Sequence, residues 1–142
     1  LNDNNDFSSP DGLYFDPRGV LWIQTDDGAY TDTSSCMLLA ALPGKVSDGS
    51  MTTTSAGQST RVGTSASNDN IKRFFVGPEG CEVTGITMAP DFKTLFINIQ
   101  HPGNTWGAVA GGSIPRSATV MITREDGDVI LAESFVTADS TT

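Results

Sequence analysis

Five acidic or histidine side chains stand at the ends of predicted strands, where the folded chain could bring them to one metal ion. Asp11 and Glu82 each precede the first strand of a predicted unit, and Asp26, Asp27 and His101 follow the second strand of a unit. Carboxylates that point at one axis from adjacent loops can share a hard cation such as calcium or ferric iron. The pattern therefore predicts metal chemistry, provided that the strands place these ends on one face.

Asp11 and Glu82 each have a structural interpretation as well. Asp11 stands in Ser-Pro-Asp-Gly at 9–12, where an aspartate often forms a turn by bonding to nearby backbone groups. Glu82 stands among residues that favour a buried strand, and a buried carboxylate needs a hydrogen-bonding partner or a metal ion. The local sequence leaves both interpretations open for each residue.

The other polar candidates also have simple structural explanations. Asp26 and Asp27 suit a solvated strand end, His101 suits a loop, and Arg116 is the one basic residue on the same predicted approach. A single histidine is weak evidence for catalysis. The sequence contains no nucleophile elbow, phosphate-binding loop or paired-histidine zinc motif. Any catalysis is therefore expected to depend on bound cations rather than on a protein nucleophile.

The elements that must position these residues form a repeat. Residues 10–25 are echoed by residues 83–99, with Gly12 and Gly85 standing 73 residues apart. An echoed strand–turn–strand unit indicates a repeat architecture, in which each unit buries its apolar face against a neighbour. Two units are too few to close a ring, so the chain is interpreted as a piece of a larger protein.

Turn residues and β-favouring runs predict an all-β fold with four antiparallel strands in each unit. Such a four-stranded unit is typical of a β-propeller blade, and the alternatives are a β-sandwich or a small barrel. The segment 43–70 is rich in Gly, Ser and Thr and is predicted to be a long mobile insertion. Residues 1–142 are thus predicted to be a partial propeller, with one blade at 10–77 and another at 82–136. The predicted strands are 13–16, 20–25, 37–42 and 71–76, then 84–89, 94–100, 118–123 and 129–135.

Charge and composition exclude several partners. Seventeen acidic residues stand against 8 basic ones, which gives a net charge of −9 and makes nucleic acid and anionic lipid poor partners. An anionic substrate is repelled as well unless bound cations reverse the local charge. No apolar run is long enough for a transmembrane helix. Cys36 and Cys81 fit neither a metal-knuckle spacing nor a disulfide-dense scaffold, and their roles stay open.

Six short motifs follow one another in a specific order. They are Ser-Pro-Asp-Gly-Leu at 9–13, Phe-Asp-Pro-Arg-Gly at 15–19, Leu-Trp-Ile-Gln-Thr-Asp at 21–26, the run from 74 to 85 that ends Glu-Val-Thr-Gly, Leu-Phe-Ile-Asn-Ile-Gln-His-Pro-Gly at 95–103, and Pro-Arg-Ser-Ala-Thr-Val at 115–120. In content and order they resemble the PhoX-type alkaline phosphatases. The resemblance covers nearly all of the chain outside 43–70, and the chain looks like a C-terminal fragment of such an enzyme.

The resemblance implies a six-bladed propeller, located in the periplasm or outside the cell, that hydrolyses phosphomonoesters. It further implies a cluster of ferric iron and calcium at the channel mouth. Asp11 matches the aspartate of the family's Pro-Asp motif and Glu82 the glutamate of its Glu-Val-Thr-Gly motif, so both look like metal ligands. The family's cysteine ligand and arginine-bearing phosphate motif have no match in this chain, and neither cysteine takes over that role.

Two other functions are compatible with the same fold. One is a calcium-dependent lactonase-type hydrolase, which uses a similar set of carboxylates at the channel mouth, and the other is a propeller module that binds partners without catalysis. Fold alone does not choose among these functions. The missing blades predict that the isolated chain is inactive and that it self-associates through faces that neighbouring blades normally cover.

Overall fold

The computed structural model describes residues 5–26, 34–44, 47–131 and 133–136. Within these ranges the fold is almost entirely antiparallel β-structure, as the sequence predicts. No helix in the described ranges is long and apolar enough to cross a membrane. The strands are β1 Pro10–Phe15, β2 Leu21–Thr25, β3 Met37–Ala41, β4 Met51–Thr53, β5 Ser59–Arg61, β6 Ile71–Val76, β7 Glu82–Met88, β8 Thr94–Gln100 and β9 Ala118–Thr123, followed by the short helix α1 Glu133–Val136.

The first sheet has four antiparallel strands in the order β1-β2-β3-β6. Its members agree with the four strands that the sequence predicts for the first unit. The strands β2 and β3 are almost completely buried, because both faces of the sheet are covered. One face carries an apolar cluster built from Ile23, Met37, Leu39, Ala41 and Ile71.

The second sheet has three strands in the order β7-β8-β9 and packs against the other face of the first sheet. Alternate residues of β8, namely Leu95, Ile97 and Ile99, are buried, because successive side chains of a strand point to opposite faces. They share one apolar cluster with Trp22 and other residues of the first sheet. This packing brings the start of β7 close to the first sheet.

The fourth strand predicted for the second unit, at 129–135, is wrong. After β9 the chain turns at 124–127, and α1 then occupies 133–136. The Arg124 guanidinium donates to the carbonyl of Val129 at 3.2 Å, and the amide of Ile130 donates to the carbonyl of Phe92 at 2.7 Å. These bonds draw the segment across the end of the sheet, so it does not pair with β9.

The insertion at 43–70 contains a hairpin that the sequence analysis does not predict. Its strands β4 and β5 pair with each other as a separate two-stranded hairpin, and all of their residues are exposed. Threonine favours extended structure, and Gly57 adopts a positive φ of 77° in the connecting turn. Local pairing therefore forms a hairpin even though this segment has little apolar area to bury.

The echo in the sequence corresponds to an equivalent irregularity in the two sheets. Both strand pairs, β1–β2 and β7–β8, contain a β-bulge in which the first strand has one residue more than its partner. Gly12 lies in the first bulge and Gly85 in the second. Gly12 is the second unpaired residue of its bulge and Gly85 the first of its own, and of the two only Gly85 has a positive φ, so the bulges correspond in place but differ in detail. The equivalent spans are 10–14 opposite 22–25, and 83–87 opposite 96–99.

Replacing Gly85 by alanine is expected to destabilise the protein more than the same change at Gly57. Both glycines have positive φ, 62° at Gly85 and 77° at Gly57, which is a strained conformation for alanine. A Cβ at Gly85 would also collide with the side chain of Asn98, whereas nothing lies within 4 Å of a Cβ at Gly57. We expect Gly85→Ala to lower the free energy of unfolding by about 1–3 kcal/mol more than Gly57→Ala, measured by urea denaturation. Equal losses would show that the Asn98 contact costs nothing.

Candidate metal centre

Three of the five predicted side chains converge at one end of the two packed sheets. Asp26 follows β2, Glu82 begins β7 and His101 follows β8. One ligand atom from each of these residues lies within 4.8 Å of the others. The packing of β7 against the first sheet therefore places two carboxylates and an imidazole together, although they are distant in sequence.

Glu82 is the buried member of this group, with only 6% of its surface exposed. The Gln100 side-chain amide donates to Oε2 of Glu82, and Nε2 of His101 lies 3.5 Å from the same oxygen. Burial raises the pKa of Glu82 above its ordinary value, and the negative charges of Asp26 and Asp11 raise it further, while His101 opposes the shift. A buried carboxylate surrounded by negative charge is stabilised by a cation.

His101 is held so that one ring nitrogen faces the carboxylate. Its Nδ1 lies 3.2 Å from the carbonyl oxygen of Gly80, and its backbone amide donates to Oγ of Ser117 at 3.1 Å. Since a carbonyl oxygen only accepts, that hydrogen bond places a proton on Nδ1. The Nε2 atom then faces the Glu82 carboxylate, and in the neutral imidazole its lone pair is available to a metal ion.

Among the described residues, the predicted candidates Asp11 and Arg116 do not join the three that converge. Asp11 is exposed on β1 and acts on Glu82 through its charge, but it is not one of the three residues that meet within 4.8 Å. Asp27 lies outside the described residues. Arg116 is exposed and forms no ion pair with a residue in the described ranges.

The two cysteines belong to the apolar core rather than to the converging group. Cys36 and Cys81 are both buried thiols in the cluster between the sheets. Burial raises the pKa of Cys81 to about 12, and the nearby Cys36 adds to the rise. In these surroundings Cys81 holds its proton at neutral pH. Neither residue joins the three side chains that converge at the sheet ends.

Gln100 is a site residue that sequence reasoning missed. It pairs with Glu82 across β7 and β8, so its side chain reaches the carboxylate from the neighbouring strand. The register of the hairpin could have revealed it, because residues directly opposite each other on adjacent strands carry neighbouring side chains. A glutamine in a predicted strand has no chemical signature of its own, which is why it was not selected.

The donor set suits the cations that the sequence analysis predicts. Carboxylates bind calcium, and a mixture of carboxylates and imidazole suits iron. Oε1 of Glu82 receives no hydrogen bond from any residue in the described part of the chain, so one carboxylate oxygen is available as a ligand. Calcium takes about 6–8 oxygen ligands, and the three converging residues of the described part of the chain offer only part of such a shell.

Comparison with known proteins identifies a matching family. The family model described as alkaline phosphatase PhoX matches residues 1–103, a stretch that contains all three converging side chains. Among solved structures, Pseudomonas fluorescens PhoX in complex with vanadate, a transition state analogue, is 40% identical over 89% of this chain, with a TM-score of 0.65. The chain spans only 19% of that protein's length. No curated protein matches the chain.

Proposed function

The chain belongs to the PhoX alkaline phosphatase family, and from this membership we propose that it forms part of a metal-dependent phosphomonoesterase. The observation that carries the proposal is the convergence of Asp26, Glu82 and His101 within 4.8 Å, inside the region that matches the family. A phosphomonoester is anionic, and a chain of net charge −9 repels it. Cations held by these side chains would reverse that local charge.

Each residue has a distinct part in the proposed site. Glu82 and Asp26 would supply carboxylate oxygens, and His101 would supply Nε2. Gln100 would orient Glu82 through the amide that it donates to Oε2. Asp11 would contribute further negative charge and, as the resemblance implies, a ligand. Calcium and ferric iron, when bound, would neutralise the phosphate and polarise its oxygens.

The proposal extends to the architecture and location of the whole protein. The two sheets would be two blades of a six-bladed propeller, with the converging residues at the mouth of its channel, and the protein would work in the periplasm or outside the cell. The equivalent bulges of the two sheets support related blades. The three-stranded second sheet would then be an incomplete blade.

Chelation of the natural full-length protein that contains this chain tests the proposed function. We expect it to hydrolyse p-nitrophenyl phosphate, to lose this activity in a calcium chelator, and to regain it when calcium is added back. The isolated 142-residue chain should be inactive, because a cluster built from several blades needs all its ligands. Chelator-resistant turnover, or hydrolysis of a lactone but not of the phosphate ester, would contradict the proposal.

The isolated chain is further proposed to self-associate. Phe96 and Met121 pair across β8 and β9 on the face of the second sheet that points away from the first, where they are 36% and 64% exposed. Apolar surface of this kind favours association. Light scattering across a concentration series should give a rising mass, and Met121→Gln should reduce the rise. A monomer that persists at high concentration would contradict this prediction.

A further inference from the structure

The His101 imidazole, one of the proposed metal ligands, is not held in place by side-chain packing. More than half of its side chain, 56%, is exposed, so the ring depends on hydrogen bonds for its orientation. The backbone at His101 has a positive φ of 34°, which is uncommon for a residue other than glycine. Such a conformation persists only where the surrounding structure enforces it. The contacts of the loop that carries His101 therefore decide where the ring lies.

The loop that follows β8 is held against the turn that precedes β7. The backbone amide of Gly103 donates to the carbonyl of Glu79 at 2.7 Å. Both residues lie three positions beyond the pair formed by Glu82 and Gln100 at the end of the two strands, so this contact continues the register of the hairpin past the strand ends. It therefore sets the separation of the two chain segments that carry Glu82 and His101.

Glycine is required where the loop and the turn approach most closely. A Cβ at Gly103 would lie 2.8 Å from the carbonyl oxygen of Glu79, and a Cβ at Gly80 would lie 3.3 Å from the Cα of Gly103. The first of these distances is a collision with a backbone atom, which cannot rotate away as a flexible side chain can. A side chain at position 103 would push the loop off the turn. It would also move Nδ1 of His101 away from the carbonyl oxygen of Gly80, which lies 3.2 Å from it.

We propose that Gly103 is a positioning residue of the metal centre, which holds the His101 imidazole so that Nε2 and the Glu82 carboxylate can bind one iron ion. The inference rests on the proposed function, because it needs a metal ion at Glu82. Nδ1 is engaged by the carbonyl of Gly80, so the ring can bind a cation only through Nε2, which lies 3.5 Å from Oε2 of Glu82. Groups that orient a metal-binding imidazole in this way are nearly as important as the ligand itself.

The test measures the iron affinity of the natural full-length protein by competition with a chelator and elemental analysis. We expect Gly103→Ala to lower this affinity by about tenfold or more, because imidazole is a good ligand for iron and its orientation is lost. Gly63→Ala is the matched control. Neither glycine has a positive φ, and a Cβ at Gly63 would make only an ordinary contact, 3.7 Å from the side chain of Asp48. The control should leave the iron affinity unchanged.

A double-mutant cycle separates positioning of the imidazole from a general loosening of the loop. If Gly103 acts through His101, then adding Gly103→Ala to His101→Ala should lower the iron affinity by less than about twofold further. The same loss from Gly103→Ala in both backgrounds would overturn the inference, because the loop would then support the site without the imidazole. An unchanged iron affinity in His101→Ala would overturn it as well, because the ring would then not be a ligand.

Ser117→Ala tests the same positioning without adding volume, and it serves if Gly103→Ala does not fold. Oγ of Ser117 accepts the backbone amide of His101 at 3.1 Å, so Ser117→Ala should cause a loss of iron that Ser117→Thr, which keeps the hydroxyl, does not. Unchanged iron affinity in both Gly103→Ala and Ser117→Ala would overturn the positioning role and leave the proposed function standing. Absence of chelator-sensitive phosphatase activity in the unsubstituted protein would overturn the proposed function and this inference with it.

Discussion

Replacing Glu82 by glutamine is expected to remove metal and activity from the full-length protein while leaving its fold intact. Glutamine preserves the size of the side chain and can still accept the hydrogen bond from Gln100, but it lacks the charge that a hard cation requires. Since loss of a group that merely supports a ligand costs about 10–100-fold, we expect turnover to fall by more than about 100-fold. Elemental analysis, steady-state kinetics and circular dichroism measure the three effects.

Glu125→Gln is the matched control for this experiment. Glu125 lies exposed in the turn after β9, so the same chemical change there should affect neither metal content nor turnover. Near-normal metal content and activity in Glu82→Gln would reduce Glu82 to a structural role. A loss of metal together with a loss of folded structure would show that the carboxylate holds the sheet ends together rather than a cation.

Substituting the other carboxylates one at a time ranks their contributions to metal binding. Asp26→Asn should lose metal because Asp26 belongs to the group within 4.8 Å. Asp11→Asn should also lose metal if Asp11 is a ligand, as the family resemblance implies, whereas a purely electrostatic role predicts a smaller loss. Asp27→Asn is expected to be nearly silent. The ranking separates residues that bind the cation from those that only add negative charge.

Local rules predicted the strands well because each strand carries its own signal. The four strands of the first sheet follow from β-favouring runs bounded by turn residues, and the repeat follows from Gly12 and Gly85. The prediction of a strand at 129–135 was wrong because contacts with a nearby side chain and with a distant turn compete with strand pairing. Arg124 and Phe92 take the backbone groups of Val129 and Ile130, and no local propensity reports that competition.

The candidate site was predictable in outline and not in detail. The positions of Asp26, Glu82 and His101 at strand ends were enough to place them on one face. Their separations depend on loop geometry, such as the positive φ of 34° at His101, and on how closely β7 packs against the first sheet. These are tertiary properties, which the local sequence does not report. Asp11 was named a ligand on the family resemblance alone, and that assignment stays a prediction.

A polar connection between the two units lies at the turn after β1, away from the metal centre. The side chain of Asp16 is fully buried, and its carboxylate forms an ion pair with the Arg18 guanidinium at 2.7 Å. It also accepts hydrogen bonds from the indole of Trp22 at 3.2 Å and from the backbone amide of Arg18 at 2.8 Å. Arg18 in turn donates to the carbonyl of Ile130 at 2.7 Å and lies 4.6 Å above the ring of Phe92.

Asp16→Asn is therefore expected to be strongly destabilising. The change leaves the Arg18 guanidinium, which is only 16% exposed, without its counter-charge, and it replaces one acceptor oxygen by a donor that faces other donors. Breaking a buried ion pair by removing one partner costs about 3–5 kcal/mol, and we expect a loss near the lower end of that range in urea denaturation. Asp126→Asn is the control, because Asp126 pairs with Arg124 on the exposed surface, where screening by solvent keeps such pairs weak. If both substitutions had the same small effect, the Asp16–Arg18 pair would not hold the two sheets together.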